Sequence, residues 1–123
     1  MPAYSSALPP LALFPGDVGF SFNAESFPAD GTAGSQFAVP EPAGFADQGH
    51  TVRWQTIFGS APSAINIRLQ GAMADVDTEY TDLDTSTATA GEARTVTTVR
   101  ARFLRVKKVT STGGTSLTAK ILS

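Results

Sequence analysis

The closing segment of the chain, residues 101–122 (ARFLRVKKVTSTGGTSLTAKIL), constrains the fold more than any other stretch. Two runs rich in apolar and β-branched residues flank a Thr/Ser/Gly turn, a pattern typical of a β-hairpin. Gly113 and Gly114 can adopt the positive φ angles that such a turn requires. We expect the alternating apolar side chains to face the core, and these are Leu104, Val106, Leu117, Ala119 and Ile121.

Alternation with a period of two predicts strands elsewhere in the chain as well. Residues 17–24, 50–58 and 64–71 alternate in this way, and shorter candidates lie at 36–39, 80–84 and 93–99. In the first of these, we expect Val18, Phe20 and Phe22 to share one face. No segment shows a helical period, and Gly- or Pro-containing turns separate the strands. The fold class predicted is therefore all-β, a single jelly-roll or β-sandwich domain.

The chain of 123 residues fits one domain, with a distinct N-terminal segment. Prolines at positions 9, 10 and 15 disfavour helix and central strand, so residues 1–16 are predicted to form an extended arm and residues 17–123 the domain. The apolar arm either folds back over its own core or docks on a neighbouring subunit. Residues 25–49 form a long connection, which suggests a functional surface or an insertion that lies over a partner.

Composition narrows the possible function classes. The chain has no cysteine, which excludes disulfides and thiolate metal sites. The first residues lack the basic n-region of a signal peptide, so we expect synthesis in a cytoplasm without export by that route. A net charge of −2 argues neither for nucleic-acid binding nor for a strong membrane attraction, and we expect neither as a partner.

Charge is distributed unevenly along the sequence. Residues 1–92 carry two basic and eleven acidic side chains, whereas residues 93–123 carry seven basic side chains and no acidic one. The basic set could be a solvated face that protects a sheet edge, a protein contact, or a nucleic-acid contact. This asymmetry would suit contacts between copies in which opposite charges meet.

Few residues could carry chemistry. His50 is the only histidine, and no nucleophile elbow, P-loop or dinucleotide-binding glycine pattern is present. We therefore expect a protein that is not an enzyme and has no cofactor and no metal, the alternative being a hydrolase built around His50. Asp75, Asp77 and Glu79 could form a solvated loop, a calcium site, or an interface with basic residues of another subunit.

Two stretches of the second half resemble small jelly-roll decoration (cement) proteins of tailed-bacteriophage capsids. The matching positions are Leu69, Gly71, Tyr80, Leu83–Thr87, Gly91, Arg102–Arg105 and Gly113–Thr115. The resemblance implies a non-enzymatic protein on the capsid exterior of a virion. Its expected partners are the major capsid protein and copies of itself, as a dimer or trimer. Alternatives are a phage tail or head-fibre component, or a carbohydrate-binding discoidin-like module with Trp54 or Tyr80 facing solvent.

On the decoration hypothesis, partner contacts are expected from both ends of the chain. The apolar candidates lie in the arm, and the charged candidates lie near the C terminus. The predicted partner-binding residues are Leu8, Leu11, Leu13, Phe14, Arg100, Arg102 and Arg105.

Overall fold

The computed structural model describes residues 11–13, 18–39 and 50–122, and β-strands dominate them. The strands are β1 (Leu11–Ala12), β2 (Val18–Glu25), β3 (Thr32–Ala33), β4 (Phe37–Ala38), β5 (His50–Ser60), β6 (Ala64–Ala72), β7 (Thr81–Ser86), β8 (Glu92–Val99), β9 (Phe103–Thr112) and β10 (Thr115–Leu122). One turn of 3-10 helix, Asp77–Glu79, lies between β6 and β7. Within these ranges no helix is long and apolar enough to cross a bilayer.

The strands form two sheets that pack face to face. The four-stranded sheet has the order β2-β10-β5-β8, and its strand pairs are antiparallel. The six-stranded sheet has the order β1-β4-β9-β6-β7, with β3 also paired to β9. The chain stays within one sheet only from β3 to β4 and from β6 to β7, and it changes sheets at every other connection between consecutive strands. This alternation between two mainly antiparallel sheets gives the jelly-roll arrangement, and it confirms the predicted all-β sandwich.

The predicted closing hairpin is wrong in one respect. Strands β9 and β10 lie where expected, but β9 pairs with β6 and β10 pairs with β5 and β2. The turn at Gly113 and Gly114, both with positive φ, therefore crosses the sandwich as an arch. Alternating apolar residues place a strand face on a core, but they do not specify which neighbouring strand completes the hydrogen bonds.

The side chains of β2 do not all face as predicted, because the strand contains a β-bulge. Ala119 pairs with Phe22 whereas the next residue, Lys120, pairs with Phe20, so β2 contains one extra residue, Ser21. Phe22 is buried as expected, but Val18 and Phe20 face outward. The side chains alternate as predicted on each side of the bulge, but the extra residue reverses the faces of the residues that precede it.

Ser21 is drawn into the interior by this bulge, where it links the two sheets. Its Oγ accepts a hydrogen bond from the Val106 amide at 2.9 Å and donates one to the Ser35 carbonyl at 2.9 Å. A buried hydroxyl without partners would be costly, so these bonds account for its position.

The core lies between the two sheets and follows the predicted alternation. Fully buried side chains from the four-stranded sheet meet those from the six-stranded sheet. They include Phe22, Val52, Trp54, Leu117 and Ile121 on one side and Ile65, Ile67, Leu69, Leu104 and Val106 on the other. The segment at Leu11–Ala12 adds to the edge of the six-stranded sheet in parallel to β4, and Leu13 enters the same core.

Candidate functional site

One end of the sandwich carries two adjacent recesses, and we call it the loop end. It is formed by the β6–β7 connection (residues 73–80) and the β8–β9 connection (residues 100–102), which are joined by a hydrogen bond from the Arg102 amide to the Ala72 carbonyl at 3.0 Å. The first recess, of about 450 Å3, is lined by Gly71, Ala72, Met73, Glu79, Thr81, Leu83, Thr98, Arg100 and Ala101. The second, of about 510 Å3, is lined by Ala38, Val39, Met73, Ala74, Asp75, Arg102 and Phe103.

Apolar and basic side chains are exposed together at the loop end. Met73 borders both recesses and is 62% exposed, and Val76 on the same connection is 46% exposed. Arg100 lines the first recess and Arg102 the second, and both are exposed. Exposed apolar groups beside guanidinium groups are typical of protein–protein contacts, because both residue types are enriched there.

The buried side chain of Arg105 holds the 73–80 connection in place. Arg105 Nη1 donates to Asp77 Oδ1 at 2.6 Å, and its Nε donates to Gln70 Oε1 at 2.9 Å. The guanidinium carbon lies 4.0 Å from the centre of the Tyr80 ring, and the Tyr80 hydroxyl donates to Asp75 Oδ1 at 2.8 Å. Charge-assisted bonds and ring stacking therefore hold the middle and the C-terminal end of the connection that presents Met73.

These contacts require a correction for Arg105. Sequence reasoning placed it among the charged partner contacts, but its side chain is only 2% exposed and is engaged within the chain. The fold covers it with the 73–80 connection, which a strand alternation pattern cannot reveal. Arg100 and Arg102 do lie at the surface, so their predicted role remains open.

The predicted apolar contacts of the N-terminal segment are placed only in part. Leu13 is 2% exposed and packs in the chain's own core, so that side chain is not presented to a partner. This favours the alternative in which the segment folds back, at least at residues 11–13. Leu8 and Phe14, and the Leu11 side chain, lie outside the described part of the structure, and their roles stay predictions.

Asp75 and Asp77 of the acidic cluster form contacts within the chain. Asp75 accepts from Tyr80 and Asp77 pairs with Arg105. Across the described ranges, no group of three potential metal-ligating His, Cys, Asp or Glu side chains comes together. Asp77 and Glu79 lie on the 3-10 turn, and Asp77 is paired with Arg105.

A second ionic network lies between β7 and β8, which are edge strands of the two sheets. Trp54 Nε1 donates to Asp84 Oδ2 at 3.0 Å, and Arg94 binds both oxygens of the same carboxylate, at 2.7 and 3.1 Å. Burial raises the pKa of Asp84, but the hydrogen bonds from Arg94 and Trp54 outweigh it, and the pKa lies below its ordinary 3.8.

This network also bears on the carbohydrate-binding alternative. That hypothesis expected Trp54 or Tyr80 to face solvent. Both are buried, Trp54 beneath Asp84 and Tyr80 beneath Arg105. Neither ring therefore offers a flat stacking surface to a sugar.

One residue with an unfavourable backbone conformation lies beside the first recess. Thr98 has φ of +58°, an unfavourable value for a β-branched residue. His50 pairs with Val99 while Val52 pairs with Val96, so β8 contains an extra residue here and Thr98 lies in a bulge. The side chain of His50 lies outside the described part of the structure, so the hydrolase alternative is not addressed by its geometry.

Sequence reasoning missed Met73 and Val76. The available signal was two apolar residues within an otherwise acidic connection, GAMADVDTE, where a turn alone would be polar. Both are exposed because the connection is folded back by Arg105 and they lie on its outer side.

No protein-family model matches the sequence, and no curated protein sequence does either. The structure is nevertheless similar to solved β-proteins. One is YomS, a protein derived from the SPBc2 prophage, with a TM-score of 0.51 and 11% identity over 87% of this chain and 94% of that one. Another is the K3 cleaved adhesin domain of Lys-gingipain from Porphyromonas gingivalis w83, with a TM-score of 0.55 and 10% identity over 86% of this chain and 73% of that one. At these identities the likeness establishes the fold alone.

Proposed function

We propose that this chain is a structural virion protein of a tailed bacteriophage, which binds the outer surface of the capsid as a decoration protein and performs no chemistry. The observation that carries the proposal is the loop end, where Met73 and Val76 stand exposed between Arg100 and Arg102 on a connection that Arg105 holds rigid. A preorganised contact of this kind binds without a large ordering cost.

Two further features support the same function. The fold is similar to that of a prophage-derived protein, and the sequence motifs resemble those of decoration proteins. The major capsid protein is the proposed partner. Fully burying a methionine side chain contributes roughly 1.5–3 kcal/mol, and a lattice repeats that contribution at every site.

The test uses heads and tails purified separately from the phage whose genome encodes the chain. The purified protein is expected to co-sediment with heads and not with tails. Met73→Ser should weaken head binding about tenfold or more, because the lost burial corresponds to at least one decade in affinity. Arg100→Glu should weaken it as well.

Lys107→Glu is the matched control for charge, since Lys107 lies on the outer face of the six-stranded sheet away from the recesses. It should bind like the unaltered protein. Sedimentation with tails instead of heads would favour the tail or head-fibre alternative. Binding to neither particle, or binding unaffected by Met73→Ser and Arg100→Glu, would refute the proposal.

A further inference from the structure

The outer face of the four-stranded sheet carries an unexplained apolar patch. The β2 bulge turns Val18 and Phe20 outward, where they are 52% and 37% exposed, and Ile57 on β5 is 38% exposed. Large apolar side chains on the solvent face of a sheet reduce solubility unless they serve a contact.

Strand register makes this patch continuous and gives it a charge. Phe20 lies beside Lys120, whose Nζ is 5.7 Å from the centre of the Phe20 ring. In the next row, Val18, Leu122 and Arg53 lie side by side across three strands. Directly paired side chains in a sheet are about 5 Å apart, so these five residues form one surface, which we call the sheet patch.

On β5, β8 and β10 the charged side chains of this face, Lys120 and Arg53, are both positive. The other outward residues of β5, β8 and β10 are uncharged, and they are Thr51, Gln55, Ala93, Thr95, Thr97, Ser116 and Thr118. No carboxylate lies among them to neutralise Lys120 and Arg53. A complementary surface would therefore carry carboxylates beside aliphatic groups.

We propose that the sheet patch is a second docking surface, and that its occupant is an acidic, aliphatic face of another protein. Naming that protein as a neighbouring capsid subunit rests on the proposed function. The acidic and aliphatic character of its surface is inferred from the sheet patch alone. A second copy of this chain is disfavoured, because a twofold contact through this face would oppose Lys120 and Arg53 to their own counterparts.

The size of the face fits a supporting contact. Four strands about 4.8 Å apart and eight residues of about 3.3 Å each give roughly 500 Å2. A standard interface buries about 800 Å2 on each partner, so this face alone would bind weakly. Together with the loop end, which lies on a different side of the sandwich, it allows one molecule to contact two neighbours at once.

The test uses the full chain and a soluble peptide that alternates glutamate and leucine, with a lysine–leucine peptide as the charge-reversed probe. In an amide NMR titration, the glutamate peptide should shift Val18, Phe20, Lys120 and Leu122. Lys120→Glu and Phe20→Thr should each weaken this binding about tenfold. Lys107→Glu, the same charge change on the other sheet, should leave it unchanged, and thermal melts should show all three variants folded.

The outcomes separate this inference from the proposed function, since no capsid is involved. Equal binding of the two peptides, or shifts confined to Met73 and its neighbours, would overturn the inference. A concentration-dependent dimer in sedimentation that Phe20→Thr abolishes would also overturn it, by making a second copy the occupant. Failure to bind heads would affect only the proposed function.

Discussion

Arg94, Arg105 and Lys108 belong to the basic closing third of the sequence, and each forms an ion pair within the chain. Arg94 binds Asp84 and Arg105 binds Asp77. Lys108 Nζ lies 2.6 Å from a carboxylate oxygen of Asp30, and it also donates to the Pro28 carbonyl. For these three residues, the fold brings together acidic and basic groups that are separated along the sequence.

Asp84 makes a pH-dependent contribution to stability. Because its pKa in the folded protein lies below the ordinary 3.8, its ionised contacts contribute fully above that value and are lost as the pH falls through the folded pKa. Asp84→Asn should lower the free energy of unfolding near neutral pH by about 1–3 kcal/mol, since hydrogen bonds to a charged group are lost. It should also lose less further stability below pH of about 4 than the unaltered protein.

Urea unfolding followed by the fluorescence of Trp54, the chain's single tryptophan, measures both effects, because the indole N–H donates to Asp84. Equal acid sensitivity of the variant and the unaltered protein would show that this carboxylate is not responsible.

At the scale of elements, the β9–β10 arch determines how the two sheets are joined. It packs against the β5–β6 arch, where the Ser63 amide donates to the Thr112 carbonyl at 2.9 Å. Gly113 and Gly114 both have positive φ, but their surroundings differ. A Cβ at Gly114 would meet Pro62 at 3.0 Å, whereas one at Gly113 would come no closer than 3.9 Å to Ser63.

These two glycines offer a matched pair of substitutions. Gly113→Ala should cost about 1 kcal/mol, the penalty for a side chain in the left-handed region. Gly114→Ala should cost about 2–3 kcal/mol, because crowding against Pro62 is added. Equilibrium urea unfolding of both variants would check this. Equal costs would contradict the packing of the two arches.

For the whole molecule, alternation predicted most strands and the core but not their partners. His50–Ser60 and Ala64–Ala72 lie where the period of two placed them, with Trp54, Ile67 and Leu69 buried. The pairing of β9 and β10 with other strands was not predictable, because arches and hairpins share the same alternating pattern and glycine turn. The β2 bulge was not predictable for a related reason. It is stabilised by a hydrogen bond from the Val106 amide to Ser21, and these residues are far apart in the sequence.

The candidate site was predictable only in part. Arg100 and Arg102 were selected by charge and do line the two recesses. Arg105 was selected by the same criterion and is buried, because the 73–80 connection folds over it and neutralises it. Burial of a strand residue by a distant loop is a tertiary effect that no local pattern encodes.

The central claim is that the loop end binds the capsid exterior, and an electron cryomicroscopy reconstruction of decorated heads tests it most directly. We expect extra density of one small β-sandwich per binding site, with Met73, Arg100 and Arg102 against the capsid surface. Heads without added density, or density in which the loop end faces solvent, would contradict it.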